Sequence, residues 1–217
     1  RLTSEARAEA ALRVLGREGH AGLTARKVAA ESGMALGHIS YHFNGMDEVL
    51  AEVEQDASFY AESGGGITLS GGECTLQPEF SAALLEEAHR RGLTTAIETA
   101  GNVPWVFFER VVRHADTVLH DYKATDPRAH RRWTGVGNER ILENFQRAYE
   151  TFPDKRFVAR TPVIPGVNDL EDHVRAVVAF VRRHPNVVDY QLLPYHRYGE
   201  GKYGYLGRVY ALQDLPS

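Results

Sequence analysis

Residues 63–73 read Ser63-Gly64-Gly65-Gly66-Ile67-Thr68-Leu69-Ser70-Gly71-Gly72-Glu73: a short apolar strand between a glycine triplet and a glycine pair. Before it, apolar side chains recur at helical spacing. After it, strand and helix alternate to the end. Strands are expected at 94–99, 117–121, 157–163 and 187–193, and helices at 78–91, 104–114, 139–151 and 170–183. Strands spaced by helices of this length predict parallel βα units, hence an α/β sheet or barrel.

Toward the N-terminus the pattern is all helical. Val49, Leu50, Val53, Phe59 and Tyr60 among acidic residues predict a helix from Met46 to about Glu62. Ala8, Ala11, Leu12 and Leu15 form one amphipathic stripe, and Thr24 is a suitable N-cap for a second helix ending at Ser32-Gly33. A third short helix is expected from Leu36 to Phe43. The division expected is a small head, residues 1–45, and an α/β body, residues 46–217.

The chain has 217 residues, net charge −4, 43% hydrophobic and 25% charged residues, and one cysteine, Cys74. This composition excludes intrinsic disorder and a disulfide scaffold. No apolar run approaches the ~18–20 residues of a membrane helix, and a soluble, cytoplasmic protein is expected. A chain that opens on Arg1 rather than Met is expected to be a fragment. Residues 1–46 hold six basic and four acidic side chains, the remainder 19 and 25. A basic head on an acidic body suggests units with different partners.

Gly22-Leu23-Thr24-Ala25-Arg26-Lys27-Val28-Ala29, Ser32-Gly33-Met34 and His38-Ile39-Ser40-Tyr41-His42-Phe43 resemble the helix-turn-helix DNA-binding domain of TetR-type regulators over residues 4–45. The resemblance implies phosphate contacts from Thr24, Arg26, Tyr41 and His42, with Leu36, Gly37 and His38 where base edges are met. It departs from the family at Met46, where a lysine is usual, and in lacking the helical dimerisation domain. A generic three-helix cap with His38 and His42 as surface residues is the alternative.

The body carries an ordered series: the glycine-flanked stretch 63–73, then Glu98-Thr99-Ala100-Gly101, Asp121-Tyr122-Lys123, His130 with Thr134-Gly135-Val136 and Asn138, Arg160 to Asp169, and Leu193-Pro194-Tyr195-His196, closed by Gly199 and Lys202-Tyr203. This series resembles the glycyl-radical-enzyme activating enzymes, the radical SAM group that includes pyruvate formate-lyase activating enzyme. The resemblance implies a partial (βα) barrel and S-adenosylmethionine bound at a [4Fe–4S] cluster. It also implies hydrogen abstraction from a glycine of a partner glycyl radical enzyme. The cofactor contacts it implies are Gly71, Gly72 and Glu73 at the amino group, Glu98, Thr99 and Asp121 around a cation, Lys123 at the carboxylate, His196 at the ribose or adenosyl end, and further contacts from Tyr122 and Arg160. Simpler roles stand beside these: a surface pair for Asp121 and Lys123, a loop residue for His196, a small buried residue for Cys74, and a turn with a helix N-cap for Pro165-Gly166 and Asn168-Asp169.

The family holds its cluster with a CxxxCxxC motif, which is absent here. The motif and its strand should precede residue 46, where the TetR-like head stands. The expected architecture is therefore a barrel lacking its first strand, joined to the head near Gly45-Met46. Natural fusion, misassembled reading frame and engineered chimera are all compatible with the sequence. No catalytic residue and no metal ligand is assigned. By descent the chain reads as an activating enzyme without its activity, or alternatively as a DNA-binding regulator carrying a non-catalytic barrel remnant.

Overall fold

A computed structural model describes residues 45–196, with Arg13 and residues 209–210. The expected head helices, all seven candidate nucleic-acid residues (Thr24, Arg26, Leu36, Gly37, His38, Tyr41 and His42) and Gly199, Lys202 and Tyr203 lie outside the described residues. The chain divides into two compact units, residues 52–195 and residues 1–51 with 196–217.

The elements are α1 (Met46–Glu54), α2 (Ala57–Ser63), β1 (Gly66–Leu69), a 3-10 turn (Cys74–Leu76), α3 (Pro78–Arg90), β2 (Thr94–Thr99), α4 (Trp105–Val112), β3 (Thr117–Asp121), α5 (Pro127–Thr134), α6 (Glu139–Thr151), β4 (Arg156–Val163), α7 (Glu171–Val181) and β5 (Val187–Pro194). The expected single helix over 46–62 is two. The chain turns at Gln55-Asp56, whose amides donate back only three residues, to Glu52 and Val53. Helix α5 was not foreseen. Its caps are plain: Asp126 accepts from the Ala129 amide at 2.7 Å, Pro127 is at the first turn, and Gly135 is left-handed at φ 85°.

All five strands are parallel and lie in chain order, β1-β2-β3-β4-β5. Crossovers that never reverse direction put the connecting helices α3, α4, α6 and α7 on one face. That distinguishes this sheet from a doubly wound one, whose strand order reverses. It is the arrangement of a partial radical SAM barrel. Among the described residues, β1 pairs only with β2 and β5 only with β4.

Burial alternates along β2 and β3 as one covered face requires. Ile97, Val118, His120 and Phe157 turn to the helices and are fully buried, joined there by Phe108, Val111, Val112 and Phe145. Phe108 meets Phe145 edge to face at 5.3 Å, and Tyr149 meets Phe157 likewise at 4.8 Å. His120 shares a 2.5 Å hydrogen bond with the Tyr149 hydroxyl. Burial pushes the imidazole down to about 3, so this core histidine is neutral at ordinary pH.

The loops at the C-terminal ends of the strands are tied down by buried polar side chains. Asn144 donates to the carbonyls of Gly101 and Val103, both at 2.8 Å. Asn138 donates to Ala124 and Thr125, and Thr161 to Tyr122. Asn168 donates to Lys123 and Pro162 and accepts from the Ile164 amide. That inward role corrects the expectation of a helix cap at Asn168-Asp169. The cap position of α7 is Leu170, with no side-chain cap bond.

Candidate functional site

The face opposite those helices carries Glu98 on β2, Asp121 on β3 and Arg160 on β4. Register explains their meeting. Glu98 lies opposite Leu119, and Asp121 opposite Arg160, so all three side chains leave the sheet on the same side near its C-terminal edge. Arg160 Nη1 donates to Glu98 Oε1 at 2.6 Å across the intervening strand, and Ser70 Oγ donates to Glu98 Oε2 at 2.7 Å. These donors, Ser70 foremost and then Arg160, hold the Glu98 carboxyl below its ordinary value. The cluster therefore stabilises the fold above the normal carboxylate range and loses that contribution as pH falls through the lowered value. Arg160 Nε is buried and has no partner among the described residues. Lys123 Nζ lies 3.4 Å from Asp121 Oδ2, both side chains partly exposed.

The loop after β1 is built differently. Gly71 has φ 111°, and a Cβ placed there would meet nothing within 4 Å, so its backbone faces open space. Beside it, Glu73 is fully engaged. Its Oε1 accepts from Thr75 Oγ1 and Thr99 Oγ1, both at 2.6 Å, and from the Thr75 amide; its Oε2 accepts from the Ala100 amide at 2.9 Å. Glu73 thus braces the glycine loop against the end of β2.

The ten cofactor candidates fall into groups. Gly71, Gly72 and Glu73 form the braced loop; Glu98, Arg160, Asp121 and Lys123 form the charged face. Thr99 is 4% exposed, its hydroxyl committed to Glu73 and to the Gly101 amide, so it stands apart from the Glu98 and Asp121 carboxylates. The Tyr122 ring is buried against Phe180 at 5.6 Å, in a core patch with Ala159, Val177 and Val181. Only its backbone reaches the strand end, its amide donating to the Arg160 carbonyl at 2.7 Å. His196 is exposed, two residues beyond β5. Ser70 is the member that sequence reasoning missed; its position just after a strand, beside the glycine pair, was the available signal.

Residues 34–180 match the family model of the radical SAM superfamily. The chain belongs to the radical SAM superfamily. Residues 8–53 match the model of bacterial regulatory proteins of the tetR family, in line with a helix-turn-helix head. Curated relatives are glycyl-radical-enzyme activating enzymes. The (2S)-3-sulfopropanediol sulfolyase activating enzyme of Bilophila wadsworthia is 46% identical over 170 residues, 78% of this chain and 56% of that protein. The isethionate sulfite-lyase activating enzyme of Desulfovibrio desulfuricans is 51% identical, covering 77% and 54%. The 4-hydroxyphenylacetate decarboxylase activating enzyme of Clostridioides difficile is 36% identical, covering 78% and 53%. The chain therefore spans about half the length of the curated relatives it matches. Among solved structures, a domain of pyruvate-formate lyase-activating enzyme from Bacteroides vulgatus superposes with a TM-score of 0.56 at 33% identity, covering 61% of this chain and 81% of that one.

Radical SAM proteins use S-adenosylmethionine and a [4Fe–4S] cluster. The charged face fits the amino-acid end of the first: two carboxylates and two cations on one face of the sheet, beside an open glycine backbone, match an ammonium and a carboxylate. The cluster does not fit. It needs several cysteine thiolates, and Cys74 is the sole cysteine of the sequence. Cys74 is buried, its Sγ donates to the Glu98 carbonyl at 3.4 Å, and burial together with Glu73 pushes the thiol up to about 12. It is a packed thiol rather than a ligand. The described residues contain no group of three or more His, Cys, Asp or Glu able to hold a metal ion, and no helix among them is long and apolar enough to cross a membrane.

Proposed function

We propose that the body of this chain is the S-adenosylmethionine-binding core of a glycyl-radical-enzyme activating enzyme, separated from the segment that supplies the cluster. The observation that carries the reading is the charged face of Glu98, Arg160, Asp121 and Lys123 beside the braced Gly71-Gly72 loop. Bound beside a cluster, the cofactor would supply a sulfonium for reductive cleavage, the chemistry that removes a hydrogen atom from a glycine of a partner glycyl radical enzyme. Here the residues bind and orient only. Gly71 and Gly72 offer backbone to the ammonium, Lys123 meets the carboxylate, and Glu98 and Asp121 balance the charge with Arg160 alongside. Thr99 and Tyr122 act as supports, through Glu73 and the backbone. His196 serves the ribose or adenosyl end. The location is cytoplasmic, and the join lies near Gly45-Met46.

Calorimetric titration with S-adenosylmethionine tests this. Binding without the iron chelate is expected to be weak, with a Kd on the order of 1 mM. Asp121→Ala should weaken it about tenfold, the size of one charge-assisted contact of roughly 1.4 kcal/mol. A titration without heat of binding, or an affinity indifferent to the substitution, overturns the assignment.

A second reading rests on the tetR-family match at residues 8–53: the head binds DNA, and Thr24, Arg26, Tyr41 and His42 contact phosphates while Leu36, Gly37 and His38 meet bases. A single head neutralises few phosphates, so its affinity should lie near the non-specific range of about 10⁻⁴–10⁻⁶ M and fall steeply with salt. In a fluorescence-anisotropy titration, Tyr41→Ala with His42→Ala should weaken it further. Tight binding insensitive to salt, or indifference to both changes, contradicts this reading.

A further inference from the structure

The last strand brings two further polar side chains to the charged face. Phe157 pairs with Val187, but the next pair is Val158 with Asp189, so Val188 is an extra residue in β5. One extra residue turns the side chains that follow to the other side of the sheet. Asp189 therefore stands beside Val158, Gln191 beside Arg160, and Leu193 beside Pro162. Tyr190, between them, packs on the helix side with Tyr122 and Ala159.

The two polar residues form a fixed unit. Gln191 Nε2 donates to Asp189 Oδ2 at 2.9 Å, while Asp189 Oδ1 accepts from the Tyr190 amide at 2.8 Å. A carboxylate only accepts, so Asp189 holds the Gln191 amide with its nitrogen inward and opposes the flipped orientation. Gln191 keeps its Oε1 acceptor and a second N–H donor, neither engaged among the described residues. Pro162 and Leu193, one step further along the same face, are apolar and half-buried. Neighbouring strands stand about 4.8 Å apart, so Gln191 lies roughly 10 Å across the sheet from Asp121, with β4 between them.

We propose that Gln191, oriented by Asp189, reads the purine base of the cofactor and selects a 6-amino purine over a 6-oxo one. This rests on the reading of the charged face as the place of the amino-acid end. From there the sugar carries the base across the sheet toward β5. Oε1 accepts from the exocyclic amine and the free N–H donates to a neighbouring ring nitrogen, the two-point match of a side-chain amide to adenine. Pro162 and Leu193 supply apolar surface for the ring. A 6-oxo purine presents an acceptor where Oε1 also accepts. To bind it the amide must turn over, which sets Oε1 against the Asp189 carboxylate.

The test titrates the full chain, followed by amide NMR, with S-adenosylhomocysteine and S-inosylhomocysteine, which differ only in the base. The adenosyl compound is expected to bind about tenfold more tightly. Gln191→Leu should lower it to the affinity of the inosyl compound and leave the latter unchanged. Asp189→Asn separates orientation from folding, because its amide can donate to a turned-over Gln191. The inosyl compound should then gain affinity and the preference collapse, whereas a merely structural Asp189 would weaken both compounds together. Both residues are exposed, so the melting temperature of each variant should stay near that of the original. Asp121→Ala, at the amino-acid end, should weaken both compounds alike. Equal binding of the two compounds by the original chain, or a preference that survives both β5 substitutions, overturns the inference and leaves the cofactor reading standing. Absence of binding by both compounds overturns the cofactor reading and the inference with it.

Discussion

Reconstituted anaerobically with iron and sulfide, the purified chain is expected to show no stoichiometric [4Fe–4S] absorbance and to form no 5′-deoxyadenosine from S-adenosylmethionine. The reason is ligand count. Cluster ligation takes several thiolates, and the sole thiol is buried, engaged with the Glu98 carbonyl and pushed up to about 12. Reductive cleavage should therefore be absent, rather than reduced by a factor. Replacing residues 1–45 with the corresponding CxxxCxxC-bearing segment of an activating enzyme should restore both cluster and cleavage. It should also raise the melting temperature, because β1, which pairs only with β2 among the described residues, would gain a second neighbour. In that repaired protein, Asp121→Ala and His196→Ala should weaken cofactor binding and leave the cluster absorbance unchanged. A near-stoichiometric cluster on the original chain would refute the ligand argument. Indifference of the repaired protein to both substitutions would refute the residue assignments while leaving the fold intact.

Gly101→Ala is expected to be among the most destabilising small changes in the body. Gly101 has φ 70°, and a Cβ there would stand 2.9 Å from Cε2 and 3.0 Å from Cζ of Phe145. That ring is fully buried and held edge to face by Phe108, so it cannot yield cheaply. Left-handed backbone costs a residue with a Cβ roughly 1–2 kcal/mol, and overpacking a filled core costs typically about 1–3 kcal/mol more. A combined loss near 3 kcal/mol should lower the melting temperature by about 6–12 °C. Gly92 supplies the control: its φ is 78°, but nothing lies within 4 Å of a Cβ there. Gly92→Ala should show the backbone cost alone, about 1–2 kcal/mol. Equal losses at the two positions in a thermal melt would show that the Phe145 contact contributes nothing.

The strands were legible because their apolar runs are continuous and their helices amphipathic: β2 and β3 fall at the positions read from sequence, and β4 and β5 differ by one residue. Helix α5 was hidden for the opposite reason. Its single buried residue is His130 and its other faces carry charge, so it has no hydrophobic period to detect. The Asp126, Pro127 and Gly135 caps would have found it. The break between α1 and α2 was hidden because the acidic and apolar residues continue through Gln55-Asp56 at helical spacing.

The candidate site divides in the same way. Sequence alone determined the parallel βα class, the family resemblance of body and head, the glycine loop and the shortage of thiols, since each is a matter of local pattern or of composition. Only the tertiary structure decided which of the candidate side chains share a face. Glu98 and Arg160 stand 62 positions apart and meet because the register of three strands aligns them. Thr99, adjacent to Glu98, points the other way and braces Glu73, while Tyr122, adjacent to Asp121, enters the core. Successive strand residues face opposite sides of a sheet, so neighbours in one motif were assigned to different tasks by pairing between distant segments.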